Sequence, residues 1–332
     1  MRRWFPALVA VLQLLVLGYM AGEREHVAVR GTRIWLRTIP VDPRDLFRGD
    51  YVRLGYEAST VPRERWSADL TQATLTKGRQ VYAVLAPRAD GLHDLQTLTG
   101  IRPERGLFLR GRVESSWGNG VHVRYGIEGY FMQQGTALKV EQERNRDGVQ
   151  IPLEMEIAVG RNGIAVLLSH RAAPLGLGVV FEMGPDQRLR TGKLTVRLLN
   201  ASPQSLAIVD LPQGRSLAMV SDRQQWQQEP SAWRWARADE PPPAPPTDQD
   251  VHVLAPGDVH TMAVDLSDPA WFVTKPGEPQ PRALLGLDDW AAVFRLLYRP
   301  PSAEACAGLQ QASLIWHGEL RSASFNGRNR VD

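Results

Sequence analysis

Apolar and polar residues alternate in short runs over most of this 332-residue chain, and beyond the first twenty-odd positions no helical period is sustained. In GVHVRYGIEGYF, Val121, Val123, Tyr125, Ile127 and Phe131 fall on one side, and His122, Arg124, Glu128 and Tyr130 on the other. Successive side chains of a strand point to opposite faces, so the pattern predicts strands buried on one face. GLFLRGRVE repeats it, with Leu107, Leu109 and Val113 against Arg110, Arg112 and Glu114. RQVYAVLAP is more continuously apolar, and IPLEMEIAVGRNGIAVLLSH reads as a hairpin turning at Arg161-Asn162-Gly163. GKLTVRLLNAS, QSLAIVDLPQGRSLAMVSD, DVHTMAVDL, AAVFRLLYRP and ASLIWHGELRSASF add further strands, and one short helix is expected from Thr136 to Arg146. Short strands joined by Gly- and Pro-rich turns predict a mainly β protein ending in a β-sandwich, with Trp271, Phe272, Phe294, Tyr298 and Trp316 as core aromatics.

The N-terminus breaks this habit. From Trp4 to Met20 the only strongly polar residue is Gln13. As a helix the run is about 26 Å long, the low end of what crosses roughly 30 Å of hydrocarbon. Trp4 and Tyr19 stand near its ends, where amphipathic rings favour headgroups, and Arg2 and Arg3 favour an N-terminus kept inside. A cleaved secretory signal needs small residues at −3 and −1; cleavage after Ala21 would put Tyr19 at −3. The run therefore predicts an uncleaved single-pass anchor in a lipid bilayer, residues 4–20, with the remainder outside the cytoplasm.

Composition excludes some classes. The 39 Lys and Arg against 36 Asp and Glu give a net charge of +3 without clustering, so no nucleic-acid partner is expected. Cys306 is the sole cysteine, which rules out an internal disulfide or a thiolate cluster and reads as a small buried hydrophobe. The seven histidines show no metal-motif spacing and read as scattered surface side chains; no metal or cofactor is expected. The expected organisation is an N-terminal tip and anchor over 1–22, a β-rich domain over 23–173, and a β-sandwich over 174–332 with a Pro-rich loop at 239–250.

PVDPRDLFRGDYVRLGYE, directly after the first predicted strand, holds the candidate site. Gly49 can supply a positive φ for a tight turn, and Asp45 and Asp50 can accept backbone N–H bonds there. Asp42, Arg44 and Arg48 can form an ion-pair cluster. Val52, Leu54 and Tyr56 would face the core, leaving Arg48, Asp50 and Tyr51 for a ligand or partner. Glu128 and Tyr130 on the later strand complete the candidate set.

GDYVRLGY, Gly49 to Tyr56, has the form Gly-Asp-Tyr-x-x-Leu-x-Tyr. With VDPRDLFR before it and YGIEGYFMQQGTALKVE later, it resembles the GDYXXLXY family of uncharacterised bacterial membrane-anchored proteins over roughly residues 1–170. The resemblance implies a bacterial inner-membrane protein of unassigned activity with its bulk in the periplasm, beside other membrane proteins, and no catalytic residues. LLNASPQSLAIVDLP is loosely similar to early strands of bacterial immunoglobulin-like modules.

The same residues offer little for catalysis. A membrane span followed by a β-rich domain suits type I signal peptidases, but their serine follows the span closely, and here the first serine is Ser59. The leading expectation is a non-enzymatic, membrane-anchored binding or scaffolding module for a neighbouring envelope protein. The alternative is a membrane-surface hydrolase using Asp50, Tyr51 and Glu128.

Overall fold

The computed structural model describes residues 5–39, 51–118, 120–131, 145–146, 148–185, 189–222, 232–275, 277–278, 280–287, 289 and 292–328, with backbone alone at 5–7, 51–53, 131 and 145. Phe5–Arg30 forms helix α1, with Pro6 in its first turn, where a missing N–H is tolerated. The helix has two halves of different character. Leu8 to Met20 is exposed on every side, Leu15 at 65% and Tyr19 at 72%. Its far end is docked: Val27 is buried, and Glu23 Oε1 accepts a hydrogen bond from Asn162 Nδ2 at 2.9 Å. Among the described residues no helix is long and apolar enough to cross a membrane. This differs from the expected span: past Met20 the helix soon carries Glu23, Arg24 and Glu25, and its apolar part from Leu8 to Met20 is only about 20 Å long; Trp4 lies outside the described residues.

Gly31 ends the helix. Its N–H reaches the Val27 carbonyl at 2.7 Å, and a Cβ here would sit 2.5 Å from that oxygen and 3.0 Å from the Val159 nitrogen. Only glycine lets the chain turn from α1 straight into β1 (Thr32–Ile39) against that neighbour.

The chain forms two compact units, residues 1–137 with 153–171 and residues 138–152 with 172–332. Of the stretch that the sequence places in the first domain, the described residues 145–146 and 148–152 belong with the second unit. In the first unit the strands are β2 (Tyr51–Arg53), β3 (Gly55–Tyr56), β4 (Thr60–Pro62), β5 (Gln80–Pro87), β6 (His93–Thr99), β7 (Phe108–Trp117), β8 (Gly120–Arg124) and β9 (Gly129–Phe131). With β10 (Asn145–Arg146) and β11 (Val149–Gln150) lying in the second unit, the first is completed by β12 (Leu153–Val159) and β13 (Ala165–Ala172). One antiparallel sheet runs β13-β12-β1-β3, another β4-β8-β7-β5-β6, and β2 pairs with β9.

The alternating patterns sort as expected in β7 and β8: Leu109, Val113, Val121 and Val123 are buried, and Arg110, Arg112 and Arg124 exposed. The β12–β13 hairpin turns at Gly160–Ile164, where Gly163 takes φ +78° and donates to the Gly160 carbonyl. Two expectations fail. Asn145–Arg146 is a strand rather than the end of a helix, and the rest of the expected helix, 136–144, lies outside the described residues. Strand β8 also stops at Arg124, because Gly126 at φ +81° turns the chain and brings Glu128 inward.

In the second unit β14 (Leu175–Met183), β15 (Arg190–Asn200) and β20 (Val259–Asp265) form an antiparallel sheet extended by β11 and β10. A second sheet pairs β17 (Leu217–Ser221) with β22 (Val293–Tyr298), and β22 with β23 (Leu320–Arg321) and β24 (Phe325–Asn326). Leu177, Val196, Leu198 and Met262 from the first sheet share one core with Met219, Phe294, Leu296 and Tyr298 from the second. Of the expected core aromatics, Trp271, Phe294 and Tyr298 are buried, and Phe272 and Trp316 half-buried. Between β16 (Leu206–Val209) and β19 (Val251–Leu254), which pair, lies β18 (Arg234–Trp235), itself paired with β21 (Val273–Thr274). The Pro-rich loop follows β18, with Arg215 and Arg237 both bound to Glu240 at its start. Cys306 is buried beside Ala207, Val209 and Ile315, and burial pushes its thiol pKa up.

Candidate functional site

The two sequence stretches singled out above lie against each other. Tyr51, Val52 and Arg53 pair with Phe131, Tyr130 and Gly129 across β2 and β9. The ladder continues past the strands, the Leu54 N–H donating to the Glu128 carbonyl at 2.7 Å. Two tyrosines then close the seam in opposite directions. Tyr56 donates its hydroxyl to the Ile127 carbonyl at 2.8 Å, and Tyr125 donates to the Ala58 carbonyl at 2.7 Å. Both rings are buried, and burial first, with the Glu128 charge second, raises both phenol pKa values far above the ordinary one.

Glu128 is the hub of the turn facing this seam. One carboxylate oxygen accepts the Tyr125 N–H at 2.5 Å and the other the Gly126 N–H at 2.9 Å. Sequence alternation put Glu128 outside; the structure puts it inside because two turn N–H groups need an acceptor. A carboxylate holding two backbone donors serves the fold of this turn. Tyr130 is half-buried and its hydroxyl lies 3.0 Å from His170 Nδ1, while burial lowers the His170 pKa. Leu54 is buried as alternation predicts. Tyr51 is placed by its backbone only, and Asp42, Arg44, Asp45, Arg48, Gly49 and Asp50 lie outside the described residues.

Beside the seam runs a chain of charges that sequence reasoning missed. Glu57 meets Arg88 at 3.4 Å, Arg88 meets Asp90 at 3.0 Å, and Asp90 meets Arg37 at 3.6 Å. Arg37 then meets Glu154 at 2.8 Å, whose other oxygen takes Arg171 Nε at 2.8 Å. Signs alternate along the whole chain, so three carboxylates and three guanidiniums cancel. The Arg171 guanidinium covers the Trp35 ring at 4.1 Å. Arg37 and Glu154 are directly opposed across β1 and β12, and both are buried. Period-two alternation contains no sign of this: Leu36, Arg37 and Thr38 are consecutive buried residues, because the end of β1 is covered on both faces.

The sequence profile of the GDYXXLXY protein family matches residues 13–169. Those residues are a GDYXXLXY domain. No curated protein and no solved structure matches the chain, and the immunoglobulin-like resemblance of the second unit has no such support. The GDYXXLXY match takes in most of α1 as well as the seam, so helix and sheets belong to one family module. In the GDYXXLXY domain the named Leu and final Tyr of the signature are Leu54 and Tyr56, and both are buried parts of the seam.

Elsewhere, His252 and His260 are not scattered surface side chains. Their rings stack at 4.4 Å, and His260 Nε2 lies 2.8 Å from Asp210 Oδ2. The eight-residue spacing hides this, because the proximity depends on a chain crossing from β19 to β20 and on Asp210 from a third element.

Proposed function

We propose that the chain is a binding or scaffolding protein of a bacterial inner membrane, held at the bilayer by α1 with its N-terminus cytoplasmic and its folded units periplasmic. The exposed apolar half of α1 carries this reading. A helix apolar on every side calls for an apolar surrounding, and no described part of the protein covers Leu8 to Met20. Arg2 and Arg3 supply the charge that retains the N-terminus inside.

Binding rather than chemistry is favoured by how the signature is used: Leu54, Tyr56 and Glu128 all act within the domain. Among the described residues strand β13 ends its sheet, and Val166, Leu167 and Leu168 along it are only half-buried. Such an edge accepts an extended segment from a partner by strand addition. The partner is a neighbouring membrane protein, since α1 would confine the domain to the bilayer surface.

The test uses the full chain in a bacterial host, with a photo-crosslinking residue at Leu168. Retention in carbonate-washed membranes, digestion by protease added to spheroplasts, and an adduct with a membrane protein are the expected results. A soluble chain, or one shielded from added protease, refutes the placement; an adduct-free Leu168 in a correctly placed chain refutes the partner.

A further inference from the structure

The second unit brings three metal-ligating side chains together from three elements. Asp210 follows β16, His252 stands on β19 opposite Ile208, and His260 stands on β20 opposite Leu198. One ligand atom from each lies within 4.8 Å of the other two. All three are partly buried, with 18% of the His260 side chain and 26% of the Asp210 side chain exposed.

We propose that Asp210, His252 and His260 form a binding site for a divalent transition-metal ion of the Zn2+ class. Two imidazoles and one carboxylate are a donor set for such ions, and three protein ligands leave a coordination position open. Zinc with ligands at about 2.0–2.2 Å sets tetrahedral donor atoms about 3.3 Å apart. The 2.8 Å approach of His260 to Asp210 has to open and the longer separations have to close, both within the reach of side-chain rotation. A cation held by a ring nitrogen of each imidazole, in the ring plane, and by the Asp210 carboxylate would replace the proton that now joins His260 to Asp210.

The backbone beneath the three residues is pinned, as a metal site needs. The Asp210 N–H donates to the Asp250 carbonyl at 2.8 Å. The turn between β19 and β20 is fastened by Asn200, which is wholly buried. Its Nδ2 donates to the Leu254 carbonyl at 2.9 Å and the Gln204 carbonyl at 2.8 Å. Its backbone carbonyl accepts from the Gly257 N–H, and its own N–H donates to the Asp258 carbonyl. Asn200-Ala201-Ser202, which has the form of a glycosylation sequon, is thus a structural clamp. Asp210 also lines a groove of about 1220 Å³ with Gly214, Arg237, Asp265 and Trp271.

The experiment takes the untagged full chain in detergent, stripped with EDTA. It is titrated with Zn2+ by calorimetry and with Co2+ by visible absorption. One equivalent of each should bind, with the intense d–d bands of a four- or five-coordinate cobalt centre. Asp210→Asn keeps a hydrogen-bonding partner for His260 but removes the anionic ligand; His252→Gln removes the ring that stacks on His260. Outer-sphere partners alone change affinity by about 10–100-fold, so each variant should weaken Zn2+ binding by at least about 100-fold with its metal-free unfolding midpoint unchanged. Failure of the wild-type chain to bind stoichiometrically, an octahedral cobalt spectrum, or wild-type Zn2+ affinity in either folded variant overturns the site.

Discussion

Tyr56 and Tyr125 each reach across one seam to the segment that carries the other, so either hydroxyl can be deleted without altering shape. Tyr56→Phe leaves the Ile127 carbonyl without its buried donor and should cost about 1–3 kcal/mol, read from urea unfolding. Glu128→Gln presents an N–H2 group to one of two backbone N–H donors and should cost a similar amount by the same measurement. His170 gives a pH signature. Burial lowers its folded pKa, whereas the unfolded residue titrates at about 6.5, so the unfolded chain takes up the proton first as the pH falls. The His170 contribution to stability is complete above about 6.5 and is lost on the way down to the folded pKa. His170→Gln should flatten the acid limb of a plot of unfolding midpoint against pH. At this scale Leu54 and Tyr56 were legible as inward-facing because they follow strict alternation; Glu128 was not, because its direction is set by a glycine turn and by two donors that alternation does not record.

Among the elements, the charge chain from Glu57 to Arg171 holds β1, the β5–β6 turn, β12 and β13 together. Arg37→Leu leaves Glu154 and Asp90 buried beside an empty cationic position and should destabilise the domain by about 3–5 kcal/mol. Arg33→Ala, which breaks the pair between exposed Arg33 on β1 and half-buried Glu156 on β12, should cost no more than about 1 kcal/mol. Denaturant midpoints of the two variants side by side separate buried from exposed pairing. Strands β5, β7 and β8 and the β12–β13 hairpin could be read from the sequence, since their signals are local alternation and a Gly turn. The charge chain could not, because most of its contacts join residues far apart in sequence, and only Arg37 opposite Glu154 follows a strand register.

For the whole molecule, none of the side chains from Leu8 to Met20 enters a core, while Val27 and Glu23 do hold α1 to the domain. Removing residues 1–20 should therefore leave the unfolding free energy within about 0.5 kcal/mol of the full chain. The same deletion should abolish co-sedimentation with vesicles of phosphatidylethanolamine and phosphatidylglycerol. The mainly β architecture was legible throughout the chain, but the place of β10 and β11 in the second unit was not, since it depends on β11 joining β14 rather than on any change in composition. The unbroken passage from α1 through Gly31 into β1 has a mechanical result. No slack segment intervenes between the greasy end of the rod and the sheets, so whatever grips that end also dictates the heading of the domain. A grip on that end would thereby set which flank the first unit turns outward.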